Sequence, residues 1–468
     1  MRNYRLVSNL FLTSCIGFFV LVSSCSTQKV GSDNNTDDIR LMTLDPGHFH
    51  AALIQKSMFK GVDTNVFVYA PEGTEVKAHL ALIEKYNARP DDPTVWNQHV
   101  YTGEDFLEKM LEDKPGDVVV LAGNNRKKTQ YIHKSVENGL HVFSDKPMAI
   151  TDKDFELLRD AFSLAERNDV LVYDIMTERY EIHSVLQKEL AHNRDIFGEL
   201  QKGTLDNPGI SKSGSHFFYK EVSGAPLIRP VWYYDTQQEG DGLVDITTHM
   251  VDLVQWQTFP DVALNYETDV KMIDARRWAT QITQSQFKQS TNADQFPDFL
   301  QKDVTNNVLS VYSNGEMNYT LKDVHVKISV EWNFQAPPGS SDTHLSLMRG
   351  SKANLAIRQG PDQGYKPALF IEPTGKEEFT TEQVSSIKQS FAKLQEKYPG
   401  IELEKQGPSF QVTIPAKFKV GHEAHFSLVA EKYINFLKEG NMPAWEVPNM
   451  LTKYYTTTQA LKKALKVN

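Results

Sequence analysis

Between residues 39 and 173 short apolar runs alternate with amphipathic stretches, and nothing else in the chain restricts its fold as strongly. Residues 39–44, 64–69, 117–122, 141–144 and 170–173 read as strands, and apolar residues recur at helical spacing between them. The run Val118-Val119-Val120-Leu121 has no polar face to turn toward water, so it belongs in a sheet covered on both sides. Strands and helices in alternation predict a parallel, doubly wound sheet. The helices are expected to start near His50 and to run over 76–86, 128–137 and 154–167. Thr102-Gly103-Glu104-Asp105 has the spacing of a capping box and opens one more at Phe106.

After residue 175 the pattern changes. Longer alternating runs at 307–312, 317–321 and 324–332 fit an antiparallel sheet, hence an α+β second domain. Residues 355–420 read as an insertion whose helix carries Val384, Ile387, Phe391 and Leu394 on one face and stops at Pro399-Gly400. Residues 424–438 and 447–465 read as C-terminal helices.

Residues 1–25 stand apart. Arg2 and Arg5 precede a mostly apolar stretch, 6–22, which is followed by Ser23, Ser24 and Cys25. That is a secretory signal, too short for a stable anchor. Leu21-Val22-Ser23-Ser24-Cys25 resembles the bacterial lipobox, which implies acylation at Cys25; a plain signal peptide with an incidental cysteine is the alternative. The other cysteine, Cys15, lies inside the signal, so the body must rely on its core and not on disulfides. Residues 26–38 have the composition of a flexible tether. The expectation is an exported lipoprotein of the cell envelope, held to a membrane leaflet through Cys25. A formal charge of -10 argues against a nucleic-acid partner.

Three constellations carry chemistry. The turn Leu44-Asp45-Pro46-Gly47-His48-Phe49-His50 has one glycine where a dinucleotide fold wants several, to let backbone approach a pyrophosphate. Alone, it reads more readily as an ordinary Pro-Gly turn. Ser144-Asp145-Lys146-Pro147 ends a parallel strand, and ligands of such sheets gather beyond strand carboxyl ends, so Lys146 points at a site; a solvated turn lysine is the alternative. In the stretch from Glu239 to His249 a helix beginning near Leu243 sets Asp245 and His249 at i and i+4 on one face. A carboxylate and an imidazole so placed can hold a substrate hydroxyl and take its proton. The alternatives are a helix ion pair or half of a metal site. His422 and His425 read as an exposed helix start, and no metal is expected.

In this order the three resemble the Gfo/Idh/MocA family of nicotinamide-dependent sugar and polyol oxidoreductases. Asp145-Lys146-Pro147 stands for the family's Glu-Lys-Pro, and Asp241-Gly242 through Asp245 to His249 for its Gly-Gly-x-x-x-Asp-x-x-x-His. Ala122-Gly123-Asn124-Asn125 loosely matches its loop after strand four. The likeness covers roughly residues 39–355 and the last helices. It implies an α/β fold: an N-terminal Rossmann doubly wound parallel sheet over 39–175, then a C-terminal α+β substrate domain over 176–468 with a large, mostly antiparallel sheet. That sheet also offers a surface for a homo-oligomer. The resemblance further implies that Lys146 hydrogen-bonds the reacting hydroxyl, that His249 is the general base and that Asp245 positions both. It places the cofactor against Asp45, Gly47, His48, His50, Asn124, Asn125, Lys146 and Pro147.

The chain also departs from the family. The glycine fingerprint is reduced to Gly47. Strand two ends Tyr69-Ala70-Pro71-Glu72, so Glu72 must reach back for the ribose hydroxyls, and with no arginine nearby NAD is expected over NADP. Arg229 and Trp232, in an aromatic stretch, are the expected carbohydrate contacts, core packing being the alternative. The leading function is an oxidoreductase acting on a sugar or polyol hydroxyl with a tightly held nicotinamide cofactor. The alternatives are redox-neutral, NAD-dependent glycosidase chemistry and a non-enzymatic sugar-binding lipoprotein.

Overall fold

Six parallel strands form the first sheet: β1 (Ile39–Leu44), β2 (Val62–Ala70), β3 (Asn97–Thr102), β4 (Val118–Leu121), β5 (His141–Asp145) and β6 (Val172–Ile175). Their order is β3-β2-β1-β4-β5-β6. The computed structural model describes residues 38–222 and 225–466; the signal segment, Cys25 and the tether up to residue 37 lie outside the described residues. All four side chains of β4 are buried, as its unbroken apolar run requires. Helices α1 (His50–Leu53), α2 (Thr74–Ala88), α3 (Phe106–Asp113), α4 (Lys128–Glu137) and α5 (Asp152–Arg167) connect the strands. Strand order reverses between β1 and β4, and the connections leaving those two strands part there to open a crevice.

The expected capping box is not made. Thr102 stays in β3, paired with Ala70, and Asp105 caps α3 without a side-chain bond to it, its carboxylate accepting from Tyr101 Oη at 2.7 Å instead. The strand ladder outcompetes the cap.

Beyond β6 come α6 (Ile182–Ala191), β7 (Ile210–Tyr219) and α7 (Thr247–Thr258). Strand β7 lies inside the second sheet, between Val324–Gln335, its parallel neighbour, and Thr343–Arg349. Outward on one side follow Val308–Leu321 and Val270–Thr283. On the other follow Ala353–Gln359, Ala368–Pro373, Ser409–Thr413 and Glu402–Gln406, all antiparallel. Residues 355–420 thus extend this sheet, and the helix Thr381–Lys397 lies on it through Ile387 and Phe391. The two runs expected at 307–312 and 317–321 are one strand. Ser313-Asn314-Gly315 resembles a turn, yet the strand continues: Asn314 pairs with Trp278, and Gly315 pairs with Arg277 and Val330 while leaving room for Leu243, which a Cβ would approach within 2.6 Å.

The last two helices, His422–Glu439 and Glu446–Ala464, return to the first sheet, where Tyr433 stacks on Phe143 at 4.8 Å. Between the sheets lies a buried ionic cluster. Lys453 contacts Asp174 of β6 at 2.6 Å and Asp252 of α7 at 2.7 Å, and Arg179 holds Asp252 through two hydrogen bonds of 2.7 Å and Glu446 at 3.1 Å. No helix among the described residues is long and apolar enough to cross a membrane.

Candidate active site

At the end of β1 the backbone of Asp45 turns left-handed, at φ 49°, a conformation more often given to glycine and tolerated by aspartate. Its carboxylate accepts from Tyr131 Oη at 2.9 Å, and burial raises its pKa against that bond. Gly47 follows. A Cβ there would stand 3.5 Å from Asn124 N and from Trp232 Cζ2, so an indole roofs the one glycine this turn keeps. The next amides bond within the protein: His48 N–H donates to Ala122 O at 3.1 Å and His50 N–H to His48 Nδ1 at 3.3 Å.

Lys146, beyond β5, donates to Asp245 Oδ1, and both side chains are at most a tenth exposed. Asp245 does not stand one turn below His249 on a helix. Helix α7 starts only at Thr247, and residues 241–246 are a tight turn in which Val244 N–H donates to Asp241 O at 2.8 Å. Gly242 causes this. Its N–H donates to Tyr312 O at 3.0 Å, and any Cβ would fall 2.1 Å from Ser313 O, so the turn lies flat on the strand. The Asp245 carboxylate therefore reaches across to Lys146.

Two cavities open at the carboxyl ends of the parallel strands. The smaller, about 440 Å³, lies at the β1/β4 crevice and is lined by Asp45, Gly47, Glu75, Asn124, Arg126, Lys127 and Trp232. The larger, about 860 Å³, takes in His48, His50, Asn125, Asp145, Lys146, Arg229, His249 and His422, with Trp332 and His344 on the side of the second sheet. Between the cavities, Gln238 Oε1 accepts from Asn124 Nδ2 at 2.7 Å and Gln238 O from Asn125 N–H at 2.9 Å.

Electrostatics give the lining groups defined states. Burial would lower the Lys146 pKa, but the carboxylates of Asp245, Asp145 and Glu239 raise it, so it is an ammonium. His249 is held well below the usual imidazole value by burial, then by Lys146 and His422, and its Nδ1 has no hydrogen-bond partner. It is a neutral base. Asp145 stays ionised against the cost of burial because His50 Nδ1 sits 2.9 Å away and Lys128 lies near. Burial lowers Lys128 itself to about 8, and its Nζ donates to Asp145 O at 3.1 Å.

Several expected residues fall elsewhere. Glu72 is exposed and lines neither cavity; Glu75, in the first turn of α2, faces the crevice instead. An arginine does reach that crevice, Arg126, because strand order sets the β4 loop beside β1. Trp232 lines the smaller cavity and not the larger one. The Arg229 guanidinium lines the larger cavity but donates to Phe218 O at 2.6 Å and Phe217 O at 3.1 Å, and stacks on Tyr233. Asn125 Nδ2 donates to Glu239 O at 2.6 Å. Pro147 is buried and lines neither cavity. His422 is not simply exposed: its ring centroid lies 6.0 Å from that of His50, and His425 is buried. Lys128 and Glu239 escaped the sequence reading, since a lysine at a helix start and a glutamate in a loop are ordinarily solvated.

A Rossmann sheet joined to a second α/β body, with a lysine at the tip of β5 facing a neutral histidine, defines a nucleotide-dependent oxidoreductase. Residues 49–174 match the family described as "Oxidoreductase family, NAD-binding Rossmann fold", and residues 186–465 the one described as "Putative oxidoreductase C terminal domain". The chain belongs to the Gfo/Idh/MocA oxidoreductases and carries their NAD(P)-binding Rossmann domain. It is 50% identical to the crystal structure of "a putative oxidoreductase" from Parabacteroides merdae ATCC 43184, with TM-score 0.91 over 92% of this chain and 98% of that one. Two distant structures share the fold. One is a levoglucosan dehydrogenase solved with NADH, 11% identical, TM-score 0.56, covering 92% of this chain and 97% of that one. The other is a 3-ketoreductase from Actinomadura kijaniata solved with NADP, 12% identical, TM-score 0.55, covering 91% and 98%. No curated protein matches the chain.

The residues present fit a dinucleotide in two halves. Arg126 and Lys127 offer charge to phosphate and Glu75 a carboxylate to ribose hydroxyls in the crevice, while Lys146 and Asn125 border the larger cavity. The segment carrying Trp232 and Gln238 lies across the path between them.

Proposed function

We propose that this protein oxidises or reduces a sugar or polyol at a hydroxyl-bearing carbon, with a nicotinamide cofactor retained between turnovers. The reading rests on one arrangement: the Lys146–Asp245 pair and the neutral His249 border one cavity. A nicotinamide cofactor held there, with Lys146 and Asn125 beside it, would supply hydride transfer to or from the substrate carbon. Lys146 donates a hydrogen bond to the reacting oxygen, and its ammonium favours the alkoxide form. His249 takes the hydroxyl proton in oxidation and returns it in reduction. Asp245 keeps Lys146 charged and aimed. Trp332 and the stacked Arg229–Tyr233 pair offer flat faces to a sugar ring. Glu75 favours NAD, because its carboxylate accepts from ribose hydroxyls and repels a 2′-phosphate. The body is carried on a lipid at Cys25 and works in the cell envelope.

The roof over Gly47 supports a second reading on the same residues, a redox-neutral cycle in which a glycoside is oxidised, cleaved and reduced again without cofactor exchange. Incubating the purified protein with a panel of sugars and glycosides, with absorbance at 340 nm and product analysis, tests both. Net NADH formation or consumption supports the first; glycoside turnover without it supports the second. Failure to bind NAD or NADP, with no thermal shift from either, removes both and leaves a carbohydrate-binding protein.

A further inference from the structure

We propose that His48, His50 and Asp145 form a binding site for a first-row divalent cation of the zinc or cobalt class. The topology brings them together: β1 and β5 flank β4, so the turn after β1 crosses over β4 to the tip of β5. Each residue offers one ligand atom, and the three atoms lie within 4.8 Å of one another. Donors about 2.1 Å from a shared ion stand about 3.4 Å apart in a tetrahedron, so a small closure completes the set. His50 Nδ1 and Asp145 Oδ2 are already 2.9 Å apart, and the His48 and His50 rings meet edge-on with centroids 4.0 Å apart.

Two imidazoles and a carboxylate suit zinc, cobalt or iron better than magnesium or calcium, which prefer oxygen donors. All three residues line the larger cavity, so the remaining coordination positions face the space where a substrate enters. A third imidazole, His422, lies 6.0 Å from His50 by ring centroid. The neighbouring cations do not compete for the carboxylate. Lys146 pairs with Asp245, and Lys128 donates to the Asp145 carbonyl, not to its side chain. Such an ion would act as a Lewis acid toward a substrate oxygen. The reading stands apart from hydride transfer, because binding of the ion is read directly.

The test is equilibrium dialysis of chelator-stripped full-length protein against Zn²⁺, with elemental analysis, and titration with Co²⁺ followed by visible absorption. The expected result is one ion per chain and a cobalt band. His50→Ala and Asp145→Asn should each weaken binding at least 100-fold, whereas His133→Ala, at a histidine paired with Asp160 on the surface, should leave it unchanged. His48→Gln serves as a third variant if either of the first two fails to fold. No binding by the wild type below about 1 mM, or binding that survives all three substitutions, would overturn the assignment and leave an Asp–His hydrogen-bonded pair. Loss of binding in folded variants, whatever happens to hydride transfer, would support it.

Discussion

Lys146 and Asp245, 99 positions apart in the chain, meet as an ion pair that joins the tip of the parallel sheet to a turn lying on the antiparallel one. The pair fixes both bodies of the fold at the point where chemistry is proposed. Neither partner has its role alone: removing Asp245 leaves a buried ammonium, and removing Lys146 a buried carboxylate.

His249→Ala should cut turnover about 10²–10⁴-fold, equivalent to roughly 3–5 kcal/mol of barrier, with dinucleotide affinity unchanged. Lys146→Ala should cost a similar factor, and the double variant far less than the product, because both groups act on one hydroxyl. Steady-state kinetics on the best substrate, with cofactor affinity from fluorescence titration, check this. Wild-type turnover by His249→Ala would remove the base assignment.

The Lys146 charge is the second-largest cause of the lowered His249 pKa, after burial. Lys146→Met should therefore raise the His249 pKa, in an NMR titration of labelled histidine assigned with His249→Gln. An unmoved midpoint would mean that the two groups do not share the cavity.

His79 is buried in α2 with neither ring nitrogen hydrogen-bonded, and burial lowers its pKa to about 4. The unfolded chain then binds a proton that the folded chain refuses, from about pH 6.5 down to about 4. Stability falls as pH drops through that window, by up to about 3 kcal/mol from this residue. Denaturant melts at pH 7 and pH 4.5 should show a smaller loss for His79→Met than for the wild type.

Trp232→Ala should open the passage over Gly47 and speed release of bound dinucleotide at least about tenfold, since binding changes act mainly on dissociation. Stopped-flow displacement of bound NADH reads the rate. An unchanged rate would mean that the indole does not gate the crevice.

Asp252→Asn removes the carboxylate shared by Arg179 and Lys453 and leaves two buried cations short of a partner. The expected cost is about 3–5 kcal/mol in a denaturant melt. A loss under about 1 kcal/mol would show the cluster to be hydrated.

Five strands of the first sheet were legible as short apolar runs between turn residues, and the segment 128–137 was placed to the residue, but the edge strand β3 was not expected because its run Asn-Gln-His-Val-Tyr-Thr is mostly polar and exposed. Lys146 and His249 were singled out through a spaced motif, and both line the larger cavity. What escaped depends on contacts between distant segments. Glu75 and Arg126 face one crevice only because β2, β1 and β4 are neighbours, and His422 reaches His50 only because a C-terminal helix folds back. Helix period suggested that Asp245 lies beneath His249. The contact of Gly242 with Ser313, made across some seventy residues, delays the helix and redirects the carboxylate.

Lys453, wholly enclosed between Asp174 and Asp252, makes the last strand of the parallel sheet depend on a segment far along the chain. A chain that stops before this residue keeps both carboxylates but loses one of the two cations that neutralise them. The sheet that receives the nucleotide is therefore completed by residues that lie beyond the whole antiparallel sheet in sequence. Limited proteolysis of a chain ending at residue 445 should cleave within 39–175, where the full-length protein resists.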